Sequence, residues 1–474
     1  MNTFENLGLN PMIQQSLCEM GFKTPTTIQD KTIPLLINSK KDLIALAQTG
    51  TGKTAAFSLP IIQQLDEQQK QVQALILCPT RELAMQIAEE LKHFTKHSKG
   101  INVTPVFGGE RMDKQIRALK NNPQIVVGTP GRINDMIKRK ILNIEKIKWL
   151  VLDEADEMLN MGFKEELDEI LISTPKEKQV MLFSATMNAF IRKIANNYMQ
   201  NPEEISIGTK NSGPKNVKHF YYTVQEKDRY SALKRIADMT PEIHGIIFCR
   251  TRLETQEIAD KLIQDNYSAE AIHGDMAQEQ RIKVMKRFKL KQTKILVATD
   301  IAARGIDVEA LTHIINYNLP DGAERYIHRS GRTGRADKTG CSLTIINPRE
   351  HHKIKIIEKK LGTTFEKKKI PEGKEVCEKK LFTLIEKMNN IEVNEDQICK
   401  FSKIINEKFN HIKKDEIIKK FISLEFNKVL ESYKNAEDLN INFAKQTHSH
   451  RQKNRGSFRN HKRRFNRVNN KIKR

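Results

Sequence analysis

The chain has 474 residues, enough for two or three domains of ordinary size. Its formal net charge is +23 and its pI about 9.6, which favours a polyanionic partner, although general lysine richness would give the same total. The six cysteines form no Cys-x-x-Cys pair, which argues against zinc and a disulfide framework and predicts a reducing compartment. Neither a basic-then-apolar leader nor a membrane-length apolar run is evident.

A glycine-rich loop follows the first apolar run, where residues 42–47 predict a buried strand. The loop, Ala47-Gln-Thr-Gly-Thr-Gly-Lys-Thr54, matches the phosphate-binding pattern Gly-x-x-x-x-Gly-Lys-Ser/Thr if alanine is allowed at the first position. Its glycines let backbone amides face phosphate oxygens, its lysine can reach the β- and γ-phosphates, and its threonine can ligate Mg²⁺. The residues predicted to bind nucleotide here are Ala47, Gln48, Thr49, Gly50, Thr51, Gly52, Lys53 and Thr54.

Two carboxylates follow a second apolar run about a hundred residues later. Residues 149–152 predict a buried parallel strand, and Asp-Glu-Ala-Asp at 153–156 comes directly after it. Asp153 would hold Mg²⁺, with Thr54, and Glu154 would act as general base towards the attacking water. Acidic residues often simply follow a strand, but the phosphate loop upstream favours catalysis. The two motifs together predict hydrolysis of a nucleoside triphosphate.

Strand and helix patterns alternate along the chain, as in parallel sheets covered on both faces. Helical periodicity is clearest at 81–94 and 113–119. A polar Gly/Ser/Pro-rich stretch at 208–215 separates the alternation into two halves and predicts a linker. The predicted strands of the two halves are 74–78, 103–107, 124–127, 149–152 and 180–183, then 245–248, 269–272, 294–298, 313–317 and 342–346.

The motifs in their order resemble those of the DEAD-box ATP-dependent RNA helicases of superfamily 2, over roughly residues 4–360. Residues 21–29, with Phe4 upstream, resemble the Q motif, and residues 184–186 (Ser-Ala-Thr) resemble the coupling motif. One such motif alone is weak evidence, but so many in family order leave little room for another family. The remaining matching segments are 79–83, 108–109, 129–132, 248–251, 278–281, 299–307 and 328–335.

The resemblance implies an α/β fold of two tandem RecA-like domains that share ATP, Mg²⁺ and single-stranded RNA across a cleft. Phe22 and Gln29 would recognise adenine, with Phe4 beside them, while Gly305 and Asp307 would reach the nucleotide from the second domain. Ser184 and Thr186 would couple hydrolysis to strand separation, and His328 would link the nucleotide site to the first domain. The implied catalytic residues are Lys53, Asp153, Glu154, Ser184, Thr186, His328 and the arginine-finger candidates Arg332 and Arg335.

The resemblance also implies backbone contacts to RNA that do not depend on base sequence. A solvated or salt-bridged surface role remains the alternative for each arginine among them. His273 and Asp275 are interpreted as a structural loop rather than a metal site, because no third ligand lies at metal spacing. The implied RNA-binding residues are Pro79, Thr80, Arg81, Gly108, Gly109, Thr129 and Arg132 in the first domain, then Arg250, Arg281, Thr299 and Arg304 in the second.

Beyond residue 360 the chain changes character. Apolar residues at helical spacing between 374 and 445 predict three or four amphipathic helices, similar to the dimerisation segment of bacterial cold-shock-type DEAD-box helicases. A monomeric helical cap is the alternative. Residues 451–474 carry eleven Lys or Arg and no Asp or Glu, which predicts a disordered RNA tether rather than a solubilising tail or a nuclear signal.

These features predict five segments and one leading function. The expected function is local unwinding of short RNA duplexes and remodelling of RNA–protein complexes, with ribosomal or RNA-decay proteins as candidate partners. An ATP-gated RNA clamp and a DNA-directed ATPase are the alternatives, and the Q motif argues against the second. The predicted segments are a first RecA-like domain (1–207), a linker (208–218), a second RecA-like domain (219–362), a helical extension (374–445) and a basic tail (446–474).

Overall fold

A computed structural model describes residues 3–48, 50–98, 100–207, 216–303, 308, 311–334 and 338–441. The chain divides into two compact units. The first consists of residues 1–220, 243–344 and 350–366, and the second of residues 221–242, 345–349 and 367–474. None of the described helices is both long and apolar enough to cross a membrane.

The first half of the chain forms a seven-stranded sheet in the order β3-β4-β2-β5-β6-β1-β7, with parallel pairing throughout. Its strands are β1 (Leu43–Leu46), β2 (Ala74–Leu77), β3 (Val103–Val106), β4 (Ile125–Gly128), β5 (Trp149–Leu152), β6 (Gln179–Ser184) and β7 (Glu203–Ser206). Its helices are α1 (Pro11–Glu19), α2 (Thr27–Asn38), α3 (Lys53–Gln64), α4 (Arg81–Phe94), α5 (Met112–Leu119), α6 (Pro130–Lys138), α7 (Ala155–Asn160), α8 (Lys164–Ile172) and α9 (Ala189–Tyr198).

Burial on both faces explains why these strands are continuous apolar runs. Alternate residues of β1 enter different cores: Ala45 joins a cluster that includes Phe57 and Phe183, whose ring centroids lie 5.2 Å apart, and Leu46 joins the cluster on the other side. The predicted strands are confirmed. Strand β7 was not predicted, because its sequence is polar and it lies half exposed at the sheet edge.

A second seven-stranded sheet has the order β10-β11-β9-β12-β13-β8-β14. Strand β8 begins at Val217, two residues inside the predicted linker, whose residues 208–215 lie outside the described part of the chain. The strands are β8 (Val217–Thr223), β9 (Gly245–Phe248), β10 (Ala269–Ile272), β11 (Ile295–Ala298), β12 (His313–Asn316), β13 (Gly340–Ile346) and β14 (Glu366–Lys368). The helices are α10 (Arg229–Asp238), α11 (Arg252–Gln264), α12 (Gln278–Lys289), α13 (Asp300–Ala303), α14 (Ala323–Ser330) and α15 (His351–Leu361).

Three helices follow, which confirms the predicted helical extension: α16 (Gly373–Asn390), α17 (Glu395–Phe409) and α18 (Lys414–Tyr433). Within the second unit, the fully buried carboxylate of Asp238 in α10 forms an ion pair with Lys380 of α16 at 2.6 Å and accepts a hydrogen bond from Tyr433 of α18. Arg235 donates to the carbonyl of Glu437 at 2.7 Å. These contacts fasten the extension to α10. The predicted basic tail lies outside the described residues.

Candidate active site

The phosphate loop lies at the carboxyl end of β1, where ligands bind in doubly wound sheets. Gly50 and Gly52 have positive φ values of 78° and 85°, which glycine adopts without steric cost, and Gly52 directly precedes helix α3. The Ala47 amide donates to the Ser184 carbonyl at 3.0 Å, which ties the loop to the end of β6. Thr54 is half buried in the first turn of α3, and Thr49 lies outside the described residues.

Gln29 holds this loop from the side. Its side-chain oxygen accepts from the Thr26 amide at 2.9 Å, and its Nε2 donates to the Gly52 carbonyl at 3.1 Å. Thr26 Oγ1 donates to the carbonyl of Thr51 at 2.8 Å. A side chain on Gly52 would collide with the Gln29 amide, so the loop and helix α2 fit only with glycine there. Gln29 therefore connects the predicted adenine site to the loop that would carry the phosphates.

Lys53 and Asp153 face each other at the centre of the site. Their Nζ and Oδ1 atoms lie 4.0 Å apart, and both side chains are buried. Burial raises the pKa of Asp153 to about 6, although the nearby Lys53 charge opposes this shift. Among the described residues, Lys53 Nζ has no hydrogen-bond partner. A buried ammonium with unused donors fits a phosphate oxygen, and the adjacent carboxylate fits the Mg²⁺ that accompanies it.

Glu154 has a strained backbone, with φ 50° and ψ 48° in the left-handed region that non-glycine residues avoid. Its amide donates to Asp153 Oδ1 at 3.0 Å. Its Oε2 atom is buried and has no partner within the described part of the chain. A carboxylate oxygen without a protein donor can accept a proton from a bound water, which suits the predicted general base.

Asp156 connects the predicted coupling motif to His328. Its Oδ2 accepts from the Thr186 amide at 3.1 Å and from Thr186 Oγ1 at 2.9 Å, and it lies 3.5 Å from His328 Nε2. Burial opposes the charge of Asp156, but His328, Lys53 and Thr186 outweigh it and lower its pKa. Glu157 contacts His328 Nδ1, and Ser184 Oγ donates to the Thr186 carbonyl at 2.7 Å. Sequence reasoning assigned no role to Asp156, the last residue of the acidic motif, or to Glu157, which directly follows it.

A recess beside His328 is lined by charged residues, most of them from the second domain. Its lining includes Glu157, Asp300, Arg329 and the buried Arg332. Arg329 was not singled out from the sequence, although it lies inside a matched motif. Its guanidinium binds Asp300 at 2.8 Å and packs 4.8 Å from the ring centre of Phe248. These contacts hold helix α14, whereas Gly305, Asp307 and Arg335 lie outside the described residues.

Several predicted RNA-binding residues of the first domain lie together. The guanidinium of Arg81 packs on Gly109, and any side chain at Gly109 would displace it. Partial burial lowers the pKa of Arg81. Arg132 donates to Gln115 Oε1 at 3.2 Å and to the Glu110 carbonyl at 3.4 Å. The other predicted residues here, Pro79, Thr80 and Thr129, are buried, whereas Gly108 is half buried.

Four side chains connect the predicted RNA-binding motifs of the first domain to those of the second. Arg281 of α12 forms an ion pair with Glu82 of α4 at 2.8 Å. Gln278 lies 3.5 Å from both Arg81 and Glu82. We call this group the clasp. Sequence reasoning did not identify Glu82 as a partner of Arg281, because the two residues are far apart in the chain and only folding brings them together.

The other predicted site residues take varied positions. Phe4 is buried and packs edge-on against the half-buried Phe22, with ring centroids 5.9 Å apart. Thr299 is nearly buried before helix α13, and the side chain of Arg250 is exposed. Arg304 lies outside the described residues. In the loop that contains His273, Asp275 forms an ion pair with Arg252, and the described residues contain no cluster of three His, Cys, Asp or Glu side chains suited to a metal.

Two parallel sheets with a phosphate loop and facing carboxylates define a nucleoside triphosphatase with tandem RecA-like domains. Family models agree with this class. The DEAD/DEAH box helicase family matches residues 26–194, the helicase conserved C-terminal domain matches 228–337, and a helical domain described as that of a probable ATP-dependent RNA helicase matches 376–434.

Relatives of known function belong to the same class of helicase. The chain is 44% identical over 397 residues to the DEAD-box ATP-dependent RNA helicase CshA of Bacillus cereus, covering 84% of this chain and 75% of the relative. The CshA protein of Geobacillus kaustophilus is 44% identical over 391 residues, covering 82% of this chain and 83% of the relative. The chain therefore belongs to the DEAD-box ATP-dependent RNA helicases and is an enzyme that hydrolyses ATP.

The fold is similar to those of nucleotide-bound helicases. The structure of S. cerevisiae Dbp5 bound to RNA and ADP BeF₃ has a TM-score of 0.72 at 31% identity, covering 78% of this chain and 96% of that one. Mss116 bound to single-stranded RNA and UDP-BeF has a TM-score of 0.71 at 28% identity, covering 86% of this chain and 88% of that one. The predicted two-domain fold is confirmed.

Proposed function

We propose that this helicase locally unwinds short RNA duplexes and remodels RNA–protein complexes by closing its two RecA-like domains on single-stranded RNA. One observation carries the proposal: residues of the two domains meet at two places. On the nucleotide side Asp156 and Glu157 meet His328, and on the RNA side Glu82 meets Arg281. A nucleotide and an RNA strand that each favour these contacts stabilise one closed state, so the binding of each promotes the other.

The hydrolysis step is assigned to the chain's own groups. The loop amides and Lys53 would hold the phosphates, and Mg²⁺ on Thr54 and Asp153 would neutralise charge on the β- and γ-phosphate oxygens. Glu154 takes a proton from the attacking water. The water oxygen bonds to the γ-phosphorus while the bond between the γ-phosphorus and the β–γ bridging oxygen breaks. Arg332, with Arg335, stabilises charge on the γ-phosphoryl group. Lys53 Nζ and Glu154 Oε2, which lack hydrogen-bond partners within the described part of the chain, support these roles.

The RNA step is assigned to the predicted residues of both domains. Arg81, Arg132 and Arg281 would bind phosphates, because the guanidinium fork matches phosphate geometry. A strand held by backbone contacts on both domains can be bent by their closure, and a bent strand pairs less well with its complement. Hydrolysis then weakens the closed state and releases the strand. Related structures with bound RNA, Dbp5 and Mss116, support RNA as the polymer.

The helical extension supports a proposed homodimer. Helix α17 has no buried apolar residue, and its apolar side chains Ile398, Phe401 and Ile404 are 45%, 59% and 58% exposed. A stripe of this kind on an amphipathic helix fits a second copy of the same stripe. Replacing Phe401 and Ile404 by Asp should convert a dimer into a monomer in sedimentation velocity, whereas Leu253→Asp, at an exposed apolar position elsewhere, should not. A monomeric unmodified protein would refute the dimer.

We further propose a cytoplasmic location, which is consistent with the bacterial CshA-type relatives, and ribosomal or RNA-decay proteins as partners. The function itself is tested by ATP hydrolysis without nucleic acid, with single-stranded RNA and with single-stranded DNA of equal length, together with release of a strand from a short RNA duplex. We expect stimulation and ATP-dependent release with RNA alone. Equal stimulation by DNA would favour the DNA-directed alternative. RNA stimulation without strand release would favour the clamp.

A further inference from the structure

Helix α14 carries different chemistry on its two sides. It has eight residues and includes Tyr326, His328 and Arg329. Successive helical residues are about 100° apart, so Tyr326 and His328 point in nearly opposite directions. Tyr326 is completely buried, whereas His328 contacts Asp156 and Glu157. The buried side of this short helix therefore determines where its functional side points.

His219 of β8 contacts Tyr326 on the buried side of α14. Its Nδ1 lies 2.7 Å from the Tyr326 hydroxyl, which lies 2.8 Å from Ser342 Oγ of β13. The ring of Phe365 stacks on His219 with a centroid distance of 5.1 Å and an interplanar angle of 19°. Phe365 also packs on Tyr326 at 5.0 Å. Tyr326 is thus restrained by hydrogen-bonding contacts with His219 and Ser342, among others, and by two neighbouring rings.

The protonation states suit a directional hydrogen bond. Burial lowers the pKa of His219 to about 4, so the imidazole is neutral near pH 7. Burial also raises the pKa of Tyr326, so its hydroxyl keeps its proton. A neutral imidazole can accept a hydrogen bond from the tyrosine hydroxyl at Nδ1, while the tyrosine oxygen accepts a hydrogen bond from Ser342. An apolar residue at 219 would leave the tyrosine hydroxyl with one partner fewer in a buried place.

We propose that His219 is a positioning residue that, through Tyr326, sets the orientation of α14 and so the reach of His328 and Arg332. The inference rests on the proposed roles of those two residues. The described contacts of His219 are with Tyr326 and Phe365, which are not predicted nucleotide-binding or RNA-binding residues, so it acts through Tyr326. Its loss lets α14 roll about the Arg329–Asp300 pair, which moves His328 away from Asp156. The consequence is weaker coupling between nucleotide and RNA rather than weaker binding of either one alone.

The test uses the full chain and compares RNA affinity with and without ADP–beryllium fluoride. The ratio of the two affinities measures the coupling. We expect His219→Leu and Tyr326→Phe each to lower this ratio about tenfold and to lower RNA-stimulated kcat with little change in KM for ATP. The double variant should be no worse than either single variant. His219→Gln, which keeps an acceptor, should stay within about twofold of the unmodified protein.

A matched control is His244→Leu. His244 is another buried histidine, lies just before β9, and packs on Phe288 with a ring-centroid distance of 4.6 Å. It should leave the coupling ratio unchanged. An unchanged ratio in folded His219→Leu, or equal losses in the Leu and Gln variants, would overturn the inference. If His328→Ala also kept full coupling, the fault would lie in the proposed function of His328 instead. Thermal unfolding of each variant establishes that it is folded at the assay temperature.

Discussion

Lys53 Nζ and Asp153 Oδ1 lie 4.0 Å apart in a buried site, close enough to attract but too far for a hydrogen bond. Among the described residues the lysine ammonium has no hydrogen-bond partner, and burial raises the pKa of the Asp153 carboxyl to about 6 against the opposing charge of Lys53. Both groups are therefore ready for charged ligands of the opposite sign. This relationship underlies the first prediction.

Lys53→Ala should abolish ATP binding, because it removes the only charge within the phosphate loop. Equilibrium titration with a fluorescent ATP analogue measures this directly. Lys41→Ala is the matched control, since Lys41 is exposed and forms an ion pair with Glu203 at the opposite end of β1 from the loop. Unchanged nucleotide affinity in Lys53→Ala would contradict the assignment of the loop.

Glu154→Gln should lower RNA-stimulated hydrolysis by about 10²-fold or more, because the amide cannot accept the proton of the attacking water. ATP and RNA should still bind, so the variant should accumulate a long-lived ternary complex, seen as slow RNA release in ATP. The exposed Glu145→Gln serves as control. Fast hydrolysis in the Glu154 variant would rule out this residue as the base.

Glu82→Ala should weaken RNA binding in the presence of ADP–beryllium fluoride about tenfold, or roughly 1.4 kcal/mol, because the clasp loses its ion pair. Arg281→Ala should weaken RNA binding at least as much, because it removes the same ion pair and the proposed phosphate contact, and the double variant should be no worse than Arg281→Ala. Fluorescence anisotropy of a labelled single strand provides the measurement. Arg252→Ala, which breaks the exposed pair with Asp275, is the control. Fully additive losses would show that the two residues act separately.

Mild acid should destabilise the protein through His219. Its folded pKa of about 4 lies below the ordinary value of 6.5, so the unfolded state binds the proton more readily. Stability is therefore lost as the pH falls from about 6.5 towards 4. Between pH 7 and pH 5 the loss from this group is about 2 kcal/mol. Urea unfolding of the unmodified protein and of His219→Gln measures the difference, which equal pH slopes in both proteins would contradict.

Deleting residues 451–474 should weaken RNA binding and flatten its salt dependence, because the segment carries eleven basic and no acidic residues. ATP turnover at saturating RNA should change little, since the motifs lie before residue 360. RNA affinity measured at several salt concentrations gives the slope. An unaltered affinity at moderate salt would remove the tether hypothesis. A deletion variant extended by a neutral segment of equal length controls for chain length.

Much of this protein follows from local sequence. The phosphate loop, the acidic motif after β5 and ten of the later strands obey short-range rules, because buried parallel strands need apolar runs and phosphate loops need glycine. Strands β7, β8 and β14 escaped prediction. All three contain polar or exposed residues, which hide the apolar pattern of a buried strand. Two of them, β7 and β14, lie at the edges of their sheets, so pairing with one neighbouring strand rather than a hydrophobic pattern defines them.

The sequence by itself determined the family, the nucleotide motifs and the order of the domains. Only the tertiary structure decided which polar side chains meet: Asp156 with Thr186 and His328, Glu82 with Arg281, and His219 with Tyr326. The physical reason is the separation along the chain over which each kind of interaction acts. Hydrophobic periodicity and turn chemistry act over a few neighbouring residues, whereas these partners lie between 30 and about 200 positions apart. Such pairs become neighbours only when sheets and helices pack.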